Sequence, residues 1–93
     1  MTADPELEAL RAEIDAIDQE ILDRVAARVR VVLRVAELKR RLGLPVYDPE
    51  RERAMLERLA ARATPPLDLS TIRRIFERLI DESRRLEQNH FDR

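Results

Sequence analysis

Between Pro5 and Leu42 nothing breaks a helix: there is no internal proline or glycine, and apolar residues recur at Leu7, Leu10, Ile14, Ile17, Ile21, Val25, Val29, Val32 and Ala36. Steps of three and four place these residues on one side of a 3.6-residue turn, so the segment is predicted to be a single helix. At 1.5 Å per residue it is roughly 55 Å long, well beyond the width of an ordinary small domain. Pro5 suits the first turn. Lys39, Arg40 and Arg41 complement the carbonyl end, and Gly43 followed by Pro45 gives a left-handed cap and a stop.

Two shorter helices are predicted to follow. Asp48-Pro49 places an acidic N-cap before a proline at the first helical position, and Met55, Leu56, Leu59 and Ala60 carry that helix to about Ala63, where Thr64-Pro65-Pro66 ends it. The third starts near Asp68 or Ser70, either of which can cap, turns Ile72, Ile75, Phe76, Leu79, Ile80 and Leu86 inward, and ends near His90. The expected fold is therefore all-α, with helices at about 5–42, 49–63 and 69–90 in a single domain over residues 1–93. Two short helices do not cover both sides of such a long one, so a second copy of the chain should do so. The favoured architecture is an intertwined, two-fold symmetric homodimer with the long helices antiparallel.

Composition removes several functions. Lys+Arg number 18 against 19 Asp+Glu, and the charges are interleaved; Arg40-Arg41, Arg73-Arg74 and Arg84-Arg85 are short pairs balanced by nearby acids, so nucleic acid is not an expected partner. There is no cysteine, and a lone His90 does not hold a transition metal by itself, so no metal is expected. The start of the chain is acidic and no apolar run exceeds a few residues, so neither a signal peptide nor a membrane span is expected, and a cytoplasmic location is.

Most charges fall on exposed faces, but a few do not. Arg28 lies within roughly 20° of Ile21 and Val35 and about 40° of Val32, interrupting the apolar stripe, and Lys39 follows on the same side about 16 Å further along the axis. A buried cation costs several kcal/mol unless paired, so each calls for an internal carboxylate, a snorkelling route to water or an anionic ligand. Arg11 is about 25 Å before Arg28 on the same helix, too far for both to grip one small molecule. If a two-fold axis crosses near Gln19 or Glu20, however, Arg11 of one chain comes opposite Arg28 of the other; otherwise Arg11 is a surface residue. On the third helix Ser83 stands on the buried stripe with Glu87 one turn beyond. Such a serine often bonds back to its own helix, and such a glutamate is either an ion-pair partner or a functional group, its pKa raised by burial and lowered by Lys39. Asp48 has sufficient work as an N-cap. Arg51 and Glu52 follow in the first turn, where Glu52 either profits from the helix dipole or accepts a hydrogen bond from a ligand hydroxyl.

This pattern resembles the all-helical class of chorismate mutases. The resemblance is carried by Leu10-Arg11-Ala12-Glu13-Ile14-Asp15 with Ile17-Asp18, by Arg28 and Lys39, by Val46-Tyr47-Asp48-Pro49-Glu50-Arg51-Glu52, and by Phe76-Glu77-Arg78-Leu79-Ile80-Asp81-Glu82-Ser83. It runs from Leu10 to Glu87 and implies an isomerase of the shikimate pathway, in phenylalanine and tyrosine biosynthesis. That enzyme converts chorismate to prephenate by a unimolecular [3,3]-sigmatropic rearrangement without a cofactor, as a homodimer that could also work alongside a partner enzyme of the pathway. Carried over by position, Arg11 of one protomer and Arg28 of the other bind the two carboxylates with help from Ser83. Lys39 and Glu87 flank the ether oxygen; Asp48 and Glu52 hold the ring hydroxyl, with Arg51 supporting that corner. Part of the family has glutamine where this chain has Glu87; Gln88 points off the stripe and is not assigned that role. The resemblance leaves two alternatives: an isochorismate pyruvate-lyase of the same fold, whose relatives lack the glutamate of the Asp48-x-x-Arg51-Glu52 turn, and a non-catalytic helical dimer.

Overall fold

A computed structural model describes residues 4–92, and it contains three helices and no strand among them: α1 (Pro5–Leu42), α2 (Pro49–Ala60) and α3 (Leu69–Phe91). Each start has a local cause. Asp4 Oδ1 accepts from the backbone N–H groups of Glu6 at 2.8 Å and Leu7 at 3.2 Å, ahead of α1. Asp48 Oδ1 accepts from the Arg51 N–H at 3.1 Å with Pro49 in the first turn of α2, and Asp68 Oδ1 from the Thr71 N–H at 2.7 Å. Asp68 rather than Ser70 is thus the cap of α3, and the donated backbone hydrogen bond holds its carboxyl below the usual range.

The end of α1 closes as the glycine predicts. Gly43 has φ +71°, its N–H donates to the Arg40 carbonyl at 3.3 Å, and the Leu44 N–H reaches back to the Lys39 carbonyl at 2.8 Å. These two bonds satisfy carbonyls that the last turn would otherwise leave bare. A Cβ at Gly43 would meet nothing within 4 Å, so the penalty of a side chain there lies in the backbone alone. Gly43→Ala is expected to destabilise the fold by about 1–2 kcal/mol, read from the midpoint of chemical denaturation.

Two expectations need correction. α2 ends at Ala60, not Ala63: the Arg62 N–H donates to the Leu59 carbonyl and the Ala63 N–H to the Ala60 carbonyl, both at 3.0 Å. These are three-residue closures, so the helix tightens before the prolines rather than running into them. Ile75, assigned to the inner face of α3, is 54% exposed; it lies about 60° off the line through Ile72, on the margin of what a short α2 covers.

The chain divides into two compact units, one up to Val31 and one from Val32 onward. The first consists of the leading part of α1, in which Leu7, Leu10, Ile14, Ile17 and Ile21 are 45–56% exposed. A helical stripe of this length without cover is far more apolar surface than scattered surface leucines explain. In the second unit α2 packs on α3, and Ala36, Ala60, Ile72 and Ser83 are buried. The carboxyl end of α3 is also tied to α1. His90 Nε2 is 3.0 Å from Glu37 Oε1, and the Arg40 guanidinium lies 3.8 Å from the centre of the Phe91 ring. Among the described residues, no helix is long and apolar enough to cross a membrane.

Candidate active site

The second unit brings charged groups from all three helices to one place. Lys39, on the last turns of α1, is half-buried, and its ammonium donates to the Val46 carbonyl at 3.4 Å, one of the three donors such a group carries. Glu52, in the first turn of α2, is half-buried as well. Arg84 Nη2 from α3 bridges both its oxygens, at 2.6 Å and 2.7 Å. The same guanidinium lies 4.8 Å from the centre of the Tyr47 ring, so one arginine holds the loop before α2, the start of α2 and the face of α3 together.

Glu87 is in the field of this cluster. Burial pushes its carboxyl above the ordinary glutamate range, the Arg84 and Lys39 cations pull it down, and the Glu52 carboxylate pushes it up again. Burial is the largest of these effects, so the net shift is upward. Arg84 is shifted upward as well, chiefly because its hydrogen bond to Glu52 holds its proton more firmly. A half-buried ammonium electrostatically coupled to a carboxyl that keeps its proton to higher pH provides two donors from different helices. Donors of this kind can stabilise negative charge developing on a substrate oxygen.

The other sequence-derived residues fall as follows. Ser83 is buried, 4% exposed, and its Oγ donates to the Leu79 carbonyl at 2.7 Å, which is the backbone-bonding role open to a serine on an inner helix face. Asp48 is exposed and caps α2; Arg51 is exposed and gives its backbone N–H to that cap. In the first unit Arg28 is half-buried on α1, whereas Arg11 is exposed and lies 3.1 Å from Glu8 one turn back, a surface pair of small energetic weight.

Arg84 is the residue that sequence reasoning missed. In the sequence it reads only as half of a basic Arg84-Arg85 pair. A signal was present: Arg84 precedes Glu87 by three positions, which sets the two about 60° apart on one helix face. Its partner Glu52 is 32 positions away, and no local pattern reports that contact.

Comparison with known proteins places the chain in a family. Residues 10–88 match the family described as chorismate mutase type II. A T-protein from Enterobacter agglomerans is 44% identical over 75 residues, which are 75% of this chain but 20% of that protein, so the chain spans about a fifth of that relative's length. The 4-amino-4-deoxychorismate mutase of Streptomyces venezuelae is 38% identical over 88 residues, covering 94% of this chain and 85% of that one. Among solved structures, chorismate mutase from Helicobacter pylori in complex with prephenate superposes with a TM-score of 0.87 at 34% identity, over 96% of this chain and 97% of that one. With the family matched from the first turns of α1 to the last turn of α3, the chain belongs to the type II chorismate mutases.

Proposed function

We propose that the chain converts chorismate to prephenate, with residues 1–93 acting as one catalytic domain in a homodimer. The observation that carries this reading is the half-buried Lys39 ammonium in the same cluster as Glu87, whose acid is pushed up by burial. Membership of the type II family supports it, as does the likeness to a structure that holds prephenate.

In this reading Arg28 and the partner's Arg11 each take one carboxylate of the dianion and hold the molecule in its compact pseudo-diaxial conformer, and Ser83 assists by turning its hydroxyl from the Leu79 carbonyl to the substrate. The C–O bond breaks as the new C–C bond forms, and negative charge grows on the ether oxygen. Lys39 and protonated Glu87 donate to that oxygen, fixed in place before the reaction begins. Asp48, partly through its backbone, and Glu52 hold the ring hydroxyl; Arg51 supports that corner. The exposed stripe of Leu7, Leu10, Ile14, Ile17 and Ile21 is the face that a second chain covers, which brings Arg11 to its neighbour's site.

The test is loss of chorismate absorbance with purified protein, with Arg28→Ala as the control. Wild-type turnover together with at least tenfold loss in the variant supports the reading, and a wild type without turnover overturns it. Isochorismate offered in parallel is expected to release no pyruvate.

A pH dependence follows from Glu87. Its side chain donates only when protonated, so turnover is expected to fall as pH rises through its raised pKa, and Glu87→Gln, which donates at any pH, is expected to flatten the profile. The same shift bears on stability. The folded chain binds this proton more tightly than the unfolded one, so the carboxyl's contribution is complete below the ordinary glutamate pKa and is lost as pH rises through the raised value. A wild-type rate that does not change from mildly acidic to mildly alkaline buffer contradicts the role given to Glu87.

A further inference from the structure

Arg84 is given no contact with substrate in the chemistry described above, yet it ties together three elements of the cluster. Its Nη2 donates to both oxygens of Glu52, its guanidinium lies over the Tyr47 ring, and its Nη1 is 3.8 Å from Asp81. The pair is neither deeply buried nor free in water, with the Arg84 side chain 40% exposed and that of Glu52 30% exposed.

We propose that Arg84 is a specificity-determining positioning residue: by neutralising and orienting Glu52, it makes the ring-substituent corner a receptor for a neutral hydroxyl and hostile to an ammonium. The proposal rests on the chorismate reading and concerns the one atom at which two substrates of this family's members differ. A relative that this chain resembles at 38% identity is a 4-amino-4-deoxychorismate mutase. Its substrate carries an amino group where chorismate has the ring hydroxyl, and a primary amine of this kind is largely protonated near neutral pH.

The electrostatics separate the two. A lone half-buried carboxylate at the corner would attract an ammonium far more strongly than a hydroxyl. With Arg84 attached, the carboxylate's charge is already matched, and an incoming ammonium meets the guanidinium as a second cation. The remaining lone pairs of Glu52 still accept a hydrogen bond from a hydroxyl, whose neutral dipole suffers no such repulsion. Specificity of this kind arises from an element that repels the wrong partner as much as from one that attracts the right one. The Tyr47 ring under the guanidinium restricts where that cation can swing, which keeps the repulsion aimed at the corner.

The experiment compares kcat/KM for chorismate and for 4-amino-4-deoxychorismate in wild type, Arg84→Met, Arg84→Lys and the double variant Arg84→Met/Glu52→Gln, with circular dichroism confirming helical content in each. Wild type is expected to prefer chorismate. Arg84→Met is expected to move the ratio of the two constants at least tenfold toward the amino substrate, Arg84→Lys to keep most of the wild-type preference, and the double variant to lose the gain because no free carboxylate remains. A ratio unchanged in folded Arg84→Met, whether both constants hold or fall together, overturns the proposal and leaves the mutase reading intact. A wild type that prefers the amino substrate also overturns it. If wild type turns over neither substrate, the mutase reading itself fails and the proposal with it. Should Arg84→Met not fold, an unchanged ratio in Arg84→Gln, which also removes the charge, has the same overturning force.

Discussion

Lys39→Ala is expected to reduce turnover of chorismate by a hundredfold or more while leaving the helical content and the association of the chain unchanged. Removing one donor aimed at developing charge typically costs about 3 kcal/mol, which corresponds to about two powers of ten in rate. The fold has little to lose at this position: the ammonium's hydrogen bond to Val46 is long, 3.4 Å, and the side chain is only half-buried. The loss should appear in kcat more than in KM, because the charge that Lys39 meets is larger in the transition state than in bound chorismate. Lys39→Ala with near wild-type kcat would remove the cation from the mechanism.

Ile17→Glu is expected to be equally severe by a different route. Ile17 is 53% exposed in the single chain and stands mid-stripe between Ile14 and Ile21. If a second chain covers that stripe, the substitution buries a carboxylate in apolar surroundings, and two-fold symmetry does so twice per dimer, at a cost of several kcal/mol each time. The expected result is a dimer that falls apart, seen as a halved mass by light scattering after size exclusion, together with activity at least a hundredfold down because each site loses its partner's Arg11. A variant that stays dimeric and active would show that the exposed stripe is not the interface.

How far the sequence reveals this protein depends on whether a feature is local. The extent of α1 was readable from Pro5 to Leu42 because helix period, the first-turn proline, terminal cations and Gly43 all act within a few residues of one another. The end of α2 was not. Met55 to Ala63 contains only helix-compatible residues, and the shift to three-residue closures after Ala60 reflects how the chain approaches the prolines rather than any residue's preference. The inward placement of Ser83 followed from its phase with Phe76 and Leu79, and its 4% exposure agrees. Periodicity also left Ser83 and Glu87 on neighbouring parts of one face, but it did not say which side chains of α2 would meet them. The Arg84–Glu52 bridge joins residues 32 positions apart, and its existence depends on the packing of α2 on α3. Arg11 is the reverse case: the sequence marks it out, and within a single chain its contact is with Glu8 on the surface.

Mixing two inactive variants tests the central claim, that cations from two subunits grip one dianion. Arg11→Ala and Arg28→Ala, each assayed alone, are expected to be nearly inactive toward chorismate. Unfolded and refolded together in equal amounts, they should form hybrid dimers in which one of the two sites has both arginines, restoring about a quarter of wild-type activity by simple two-fold statistics. A mixture no more active than either variant alone, with hybrid dimers demonstrated by mass, would contradict a site shared between subunits.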